Sequence, residues 1–344
     1  MKQILLDTRQ GGLGDVWMRL AGLFSLAALV RGQPYAVKLP AAFEELGQAV
    51  FGDRLHIHDG EAAADYTYTS LGARSLRSSV WRGQRFVTPY SSFASTDSQR
   101  HPMVDGLNQA VIAALEAAGL VRSPQPSDIH RYQAFSDIAP FASDAGISYP
   151  TFLQQAERDF QIIRQRLLQP LAHSPEFGAG EAATAQPCEL LVFPSGTSRQ
   201  CIPAHWAAQH LRHASHAFFF KDPLKNEYER LGLHCVNFYS KPGDMVALAR
   251  QAKWSISTDT FSSHVLQYLT DQSTVLLTEL TSVRVVSPFY RGQVVNSQVP
   301  CHPCKKVVRT PGSRCQAGHT ECLNWTYPQY AQDTLRSISF EASR

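Results

Sequence analysis

Three stretches of this chain place small residues, hydroxyls and charge where a strand pattern gives way to a helix pattern. The first is Gln10–Ala21, QGGLGDVWMRLA. Gly11, Gly12 and Gly14 allow a second molecule to approach the backbone closely, and Asp15 opens the helix. A phosphate loop would not place a carboxylate there. The G-x-G-x-x-G spacing of a dinucleotide site is absent, and no acid about twenty positions on suits a ribose contact. Asp15 therefore reads as a general base beside an acceptor, or as a helix N-cap, and the two roles are compatible.

The second stretch is Ser257–His264, STDTFSSH. Asp259, Thr260, Ser262 and Ser263 crowd a helix N-terminus, whose N–H groups and dipole favour an anion. Hydroxyls suit a diphosphate, and His264, four residues past Thr260, lies on the same helix face. The plainer reading is a capping cluster with a surface histidine. The third is Phe193–Gln200, FPSGTSRQ, where Ser195, Gly196, Thr197, Ser198 and Arg199 form a candidate pyrophosphate cradle, or an ordinary turn. Lys221 and Glu227 lie where a nucleotide base or ribose could sit.

A fourth group has different chemistry. Cys301 and Cys304 form C-x-x-C, and Cys315 and Cys322 follow. Four thiols on two short arms fit a closed tetrahedral site for structural zinc, with iron as the alternative. His210 and His213, at i and i+3, read as a solvated helix face.

The elements that must position these groups alternate. Gln3–Asp7, Tyr35–Pro40 and Leu55–Asp59 read as strands, with helices over Asp15–Arg31 and Ala41–Gly52 between them, the pattern of a parallel sheet. Residues 60–105 read as loops and short strands. Asp105–Leu120 and Thr151–Leu171 read as helices. After His173–Pro187, a linker without periodicity, strands ELLVFP, AFFFK, CVNF, WSIST and TVLLTE alternate with helices over Pro203–Ser215, Leu224–Gly232, Gly243–Ala252 and Phe261–Thr270. The expected fold is therefore α/β, with two Rossmann-like doubly wound domains facing across a cleft. The first spans 1–172 and takes the acceptor. The linker spans 173–187, a nucleotide-sugar domain with a cysteine-rich tail spans 188–325, and a helix over 326–344 closes the chain, with packing on the first domain as one placement. Ligands of such sheets bind beyond the strand C-termini.

Composition sets outer limits. With 344 residues, two domains are the natural prior. A net charge of +3 is too small to mark a dedicated nucleic-acid binder. Most of the positive charge is arginine, which suits an anionic ligand. No apolar run is long enough to span a membrane, leaving only peripheral membrane contact open. Asp7 interrupts the N-terminus as no signal peptide would, so a cytoplasmic location is expected, with thiols rather than disulfides.

Taken in order, these stretches resemble glycosyltransferase family 9, the lipopolysaccharide heptosyltransferases, which have the two-domain GT-B fold. GGLGDVWMRLAGLFSLA is similar to the family's N-terminal turn, whose aspartate is the catalytic base, here Asp15. FPSGTSRQCIPAHWA resembles the loop that opens the donor domain. KPGDMVALARQAKWSISTDTFSSHVLQYL resembles the family's helix, strand and Asp-Thr-Gly-x-x-His turn, implying phosphate and sugar contacts from Asp259, Thr260 and His264. CHPCKK…RCQAGHTECL resembles the cysteine-rich tail of many members. Phe261 stands where the family has glycine. Arg199 and Gln200 stand where it has a phosphate-binding lysine, and Ile202-Pro203 where it has Trp-Pro.

The resemblance implies inverting transfer of a heptose-like sugar from a nucleoside diphosphate to an acceptor hydroxyl, without a catalytic divalent metal. Lipopolysaccharide core is the family's acceptor; protein hydroxyls and hydroxylated phage DNA bases are alternatives. A sugar-nucleotide epimerase would need acid/base groups on both sides of the sugar, and no second set is evident. A nicotinamide oxidoreductase lacks its fingerprint here. A non-catalytic nucleotide-sugar-binding protein is the alternative of another class.

Overall fold

A computed structural model describes residues 4–7, 13–30, 35–58, 66–69, 76–81, 84–89, 132, 134–135, 138, 142, 145–170, 190–194, 201–211, 215–218, 224–232, 234–236, 242–250, 252–277, 286–300 and 321–323. By contact the chain divides into two units, Met1–Gln169 with Val283–Phe289, and Pro170–Ser282 with Tyr290–Arg344. The helix expected over Asp105–Leu120, the linker 173–187 and the C-terminal segment 326–344 lie outside the described residues.

The first unit runs β1 (Ile4–Asp7), α1 (Leu13–Leu29), β2 (Tyr35–Lys38), a 3-10 turn (Ala41–Phe43), α2 (Glu44–Phe51), β3 (His56–His58), β4 (Tyr66–Thr69), β5 (Leu76–Trp81), β6 (Gln84–Pro89) and α3 (Tyr149–Leu168). Strands β3-β2-β1-β4 form one parallel sheet, with Asp7 in register with Lys38 and Thr69. β5 and β6 form a separate antiparallel pair.

Helix α1 is apolar on nearly every side, and every residue from Val16 to Ala27 is buried. Such a helix needs partners all round. Trp17 packs edge-on against Phe43 and Phe51, with centroids 6.2 and 5.2 Å away, and Phe24 meets Phe51 at 5.6 Å. Gly22 makes room for another segment, because a Cβ there would collide with the carbonyl of Ala134.

Helix α3 begins at Ser148, whose Oγ accepts from the Thr151 N–H, and buries Phe152, Ala156, Phe160, Ile163 and Leu167 along one stripe. Asp159 lies in the same stripe. Its Oδ1 accepts from Arg54 Nη1 at 2.6 Å and from Gln155 Nε2 at 3.0 Å, while the Arg54 guanidinium sits 4.1 Å over the Phe24 ring. One helical segment away, Arg166 grips both oxygens of Asp53 at 2.6 Å and donates to the Val50 carbonyl. Burial pushes the Asp53 carboxyl up, but the Arg166 hydrogen bond and charge outweigh this and hold it below its ordinary value. These pairs fix the end of α2 against α3.

Asp159→Ala is expected to lower the unfolding free energy by about 2 kcal/mol in chemical denaturation. That is less than for a fully enclosed pair, because Arg54 retains some water. An unchanged midpoint would mean the pair contributes nothing net.

The second unit runs β7 (Leu190–Phe193), α4 (Ala204–His210), β8 (Ser215–Phe218), α5 (Leu224–Arg230), β9 (His234–Val236), α6 (Pro242–Ala249), β10 (Trp254–Thr258), α7 (Phe261–Leu269), β11 (Ser273–Leu277), β12 (Gln293–Asn296) and a 3-10 turn at Glu321–Leu323. Its sheet is parallel, in the order β12-β11-β10-β7-β8-β9.

Two features differ from the sequence expectation. The helix expected over Pro203–Ser215 stops at His210, and Ser215 begins β8, because pairing of Ser215 with Leu190 competes with the helical pattern. The sheet also has a sixth strand, β12, where five were expected. β12 is a half-exposed edge carrying one buried side chain, Val295. Tyr290 holds it in place: its hydroxyl donates to the Ser273 carbonyl at 2.5 Å and accepts from Ser273 Oγ at 2.9 Å. Burial pushes the Tyr290 phenol well above its ordinary value. Just before it, Phe289 packs edge-on against Phe160, 6.0 Å away within the first unit.

Candidate functional site

In the second unit the chain winds from β7 through α4, β8 and α5 to β9 in one direction. It then returns by α6 and continues from β10 through α7 to β11 and β12 in the other. Right-handed crossovers place the two helix pairs on opposite faces. The core follows this plan. Trp206, Ala207 and Tyr228 of α4 and α5 pack on one face of the sheet, against Leu190, Val192, Ile256, Leu276 and Val295. The winding therefore reverses between β7 and β10, and ligands of open α/β sheets bind beyond the strand ends at such a reversal.

The residues that follow β10 are Asp259 and Thr260. Thr260 is extended and caps α7. Its N–H donates to Ser263 Oγ at 3.2 Å, Ser263 Oγ donates back to the Thr260 carbonyl at 2.7 Å, and Thr260 Oγ1 lies 2.6 Å from Ser262 Oγ. Ser263 thus holds the turn. His264 Nε2 lies 3.3 Å from Asp259 Oδ1, and both side chains are largely buried. The sequence reading gave each a separate donor contact, whereas the structure joins them. Phe261 is the first helical residue and is buried, so its backbone conformation does not require glycine. The hydroxyls of Ser255 and Ser257, on the opposite face of β10 from Ile256, are buried without a hydrogen-bond partner among the described residues.

The residues that follow β7 are Pro194 and then Ser195, Gly196, Thr197, Ser198 and Arg199, the last five outside the described residues. The ends of that loop are described. The Ile202 N–H donates to the Pro194 carbonyl at 2.7 Å, and the Ile202 carbonyl accepts from the Tyr228 hydroxyl at 2.9 Å. Register pairs Phe193 with Ser257, so the loop starts and ends beside the β10 turn. Lys221 lies outside the described residues. Glu227 is exposed in the first turn of α5.

In the first unit the winding runs from β1 outward to β2 and β3, and β4 lies on the other side of β1. The reversal again falls where the candidate stretch begins. Gly11 and Gly12 lie outside the described residues; Gly14 and Asp15 stand in the first turn of α1, partly buried. A carboxylate is favoured there by the helix dipole. Asp15, Arg19, Gly22 and Leu26 form one stripe at helical spacing. Arg19 is 0% exposed, and none of its three guanidinium nitrogens has a hydrogen-bond partner among the described residues. Sequence reasoning missed Arg19, although an arginine inside an otherwise apolar helix was a visible signal.

Cys322 is buried on the last 3-10 turn, its carbonyl accepting from Ser297 Oγ at 2.9 Å just beyond β12. Cys301, Cys304 and Cys315 lie outside the described residues, and among the described residues no three ligand-type side chains gather. No described helix is long and apolar enough to cross a membrane.

No protein-family model matches the chain, and no curated protein matches it. Several solved structures do. The E. coli heptosyltransferase WaaC with ADP is 12% identical, covers 98% of this chain and 99% of its own, and superposes with a TM-score of 0.49. The E. coli ADP-heptose lipopolysaccharide heptosyltransferase II is 13% identical over 99% of this chain and 100% of its own, at 0.46. A glycosyl transferase of family 9 from Veillonella parvula DSM 2008 is 13% identical over 99% and 97%, at 0.40. Likeness at this level says nothing about donor or acceptor.

Proposed function

We propose that the chain is an inverting glycosyltransferase that moves a heptose-like sugar from a nucleoside diphosphate to an acceptor hydroxyl, with lipopolysaccharide core as the acceptor that the sequence resemblance implies. One observation supports this reading above the others. Each unit reverses its winding at a strand that leads into a helix carrying chemistry: Asp15 on α1 after β1, and the Asp259–His264 turn after β10.

In this reading Asp15 takes the proton from the acceptor hydroxyl as its oxygen bonds to the anomeric carbon. The bond from that carbon to the diphosphate oxygen breaks on the opposite face, inverting the centre. The leaving diphosphate gains charge, which the N-terminus of α7, Thr260 and His264 offset, with Ser195, Gly196, Thr197, Ser198 and Arg199 of the β7 loop on the other side. Asp259 orients His264, and Lys221 and Glu227 take the nucleoside.

A thermal-shift panel of nucleoside-diphosphate sugars tests the reading. A preferred donor at a hundred times its dissociation constant stabilises by about 2.7 kcal/mol. No shift with any member, together with no hydrolysis of any, would sink it.

Cys301, Cys304, Cys315 and Cys322 would hold structural zinc, or iron, tying the tail to the end of β12 through Cys322. Elemental analysis of protein purified without chelator is expected to find about one metal per chain. A metal-free protein that melts normally removes the site.

A further inference from the structure

We propose that the last row of the first sheet is a subsite for an uncharged saccharide, held through its hydroxyls by Asp7, Lys38, His58 and Thr69. Register sets these four residues side by side. Asp7, which ends β1, pairs with Lys38 of β2 and with Thr69 of β4, and Lys38 pairs with His58 of β3. Across the sheet the order is His58, Lys38, Asp7, Thr69. Residues in register on neighbouring parallel strands share one face, with about 4.8 Å from strand to strand.

The face they share is unusual for a parallel sheet, whose strands normally read as continuous apolar runs. Here β3 and β4 alternate, as HIH and YTYT. Ile4, Leu6, Val37 and Ile57 fall on the other face, while His56 and Thr67 join the row on this one. The polar face also opens toward the strand ends. On β2, Ala36 is fully buried, whereas Lys38, two residues on and on the same face, is partly exposed. The last row is therefore reached from solvent at Lys38.

Asp7 and Thr69 end the two strands between which the winding reverses, and ligands of open α/β sheets bind beyond the strand ends at such a reversal. The charges of the row select the kind of ligand. One carboxylate and one ammonium on adjacent strands leave no net charge when His58 is neutral. An anion drawn to Lys38 would meet Asp7 one strand away, and a cation drawn to Asp7 would meet Lys38 at the same spacing. A ligand rich in hydroxyls meets no such conflict, because each hydroxyl both donates and accepts. Asp7 accepts from the sugar, Lys38 donates to it, and both bonds are strengthened by the charge on the protein group. As a statement about the acceptor, that it presents a neutral sugar, this inference rests on the transfer reading above. As a statement about binding it does not, and the test uses no donor.

Wild type, Asp7→Asn, Lys38→Met and Thr69→Val are applied, without donor, to an array of uncharged hexose and heptose oligosaccharides and of acidic ones bearing uronate or phosphate. Wild type is expected to bind uncharged members. Calorimetry on the best of them should give a dissociation constant that changes by less than about twofold between low and high salt, because the ligand brings no charge to screen. Asp7→Asn and Lys38→Met are each expected to weaken binding about tenfold, the scale of one hydrogen bond to a charged group, and Thr69→Val about threefold. Three results overturn the proposal: no uncharged glycan bound; binding confined to acidic glycans or lost in salt; or binding unchanged in all three variants. Should Asp7→Asn or Lys38→Met fail to fold, Thr69→Val, which exchanges a hydroxyl for a methyl, decides on the same readings. Saccharide binding with no sugar transfer would support this inference and count against the transfer reading alone. Transfer to a protein or a nucleic acid with no saccharide binding would overturn this inference and leave the transfer reading standing.

Discussion

Asp15→Asn is expected to abolish sugar transfer while leaving folding and donor binding intact. Asparagine keeps the size of the side chain and can still accept a hydrogen bond at a helix start, so α1 should form as before. It cannot take a proton at neutral pH. General-base catalysis of this kind is worth about 10³-fold, and that is the expected loss in kcat/KM. The donor-induced rise in Tm should be unchanged, because the donor is assigned to the other unit. The two measurements together separate a base from a carboxylate that only supports the helix start. Asp15 is the third residue of α1 rather than its N-cap, so a lower Tm with transfer preserved would mark a structural carboxylate and remove Asp15 from the chemistry.

The second large effect is expected at His264. If it offsets charge on the leaving diphosphate, His264→Ala should lower kcat/KM by about 10²-fold, the scale seen when one donor to a developing anion is removed. The partner tests how it acts. Asp259 lies 3.3 Å from His264 Nε2 and is argued to work by orienting the ring. Asp259→Asn should then cost several-fold alone and almost nothing on top of His264→Ala. A full second loss in the double variant would mean that Asp259 touches the sugar itself. Circular dichroism should show both variants folded, because the Thr260–Ser263 bonds that cap α7 involve neither side chain.

Much of the fold was legible where periodicity is strong. Trp254–Thr258 reads as a strand from its residues alone and is one. The helices at Leu13–Leu29 and Phe261–Leu269 lie within about two residues of their sequence patterns, the usual play at helix ends. β12 was not legible, because an edge strand with one buried side chain has no alternation to detect. The β8 start at Ser215 was hidden by a helical pattern that yields to pairing with Leu190. In the candidate site, residue types were readable and their relations were not. No spacing rule says that Asp259 answers His264 rather than a ligand, or that Asp159 on α3 reaches Arg54 across most of the first unit. Arg19 makes the same point: its type was plain, but full burial without a hydrogen-bond partner among the described residues is a property of the folded chain.

The closure at Pro194 and Ile202 has a consequence for how donor preference could change. The two ends of the β7 loop are tied to each other, and one of them to Tyr228, by bonds that use only backbone groups and a residue outside the loop. The two ends of the loop are therefore fixed in place. In the transfer reading proposed above, residues between these two anchors could be exchanged for recognition of another nucleotide sugar with the Pro194–Ile202 bond left in place.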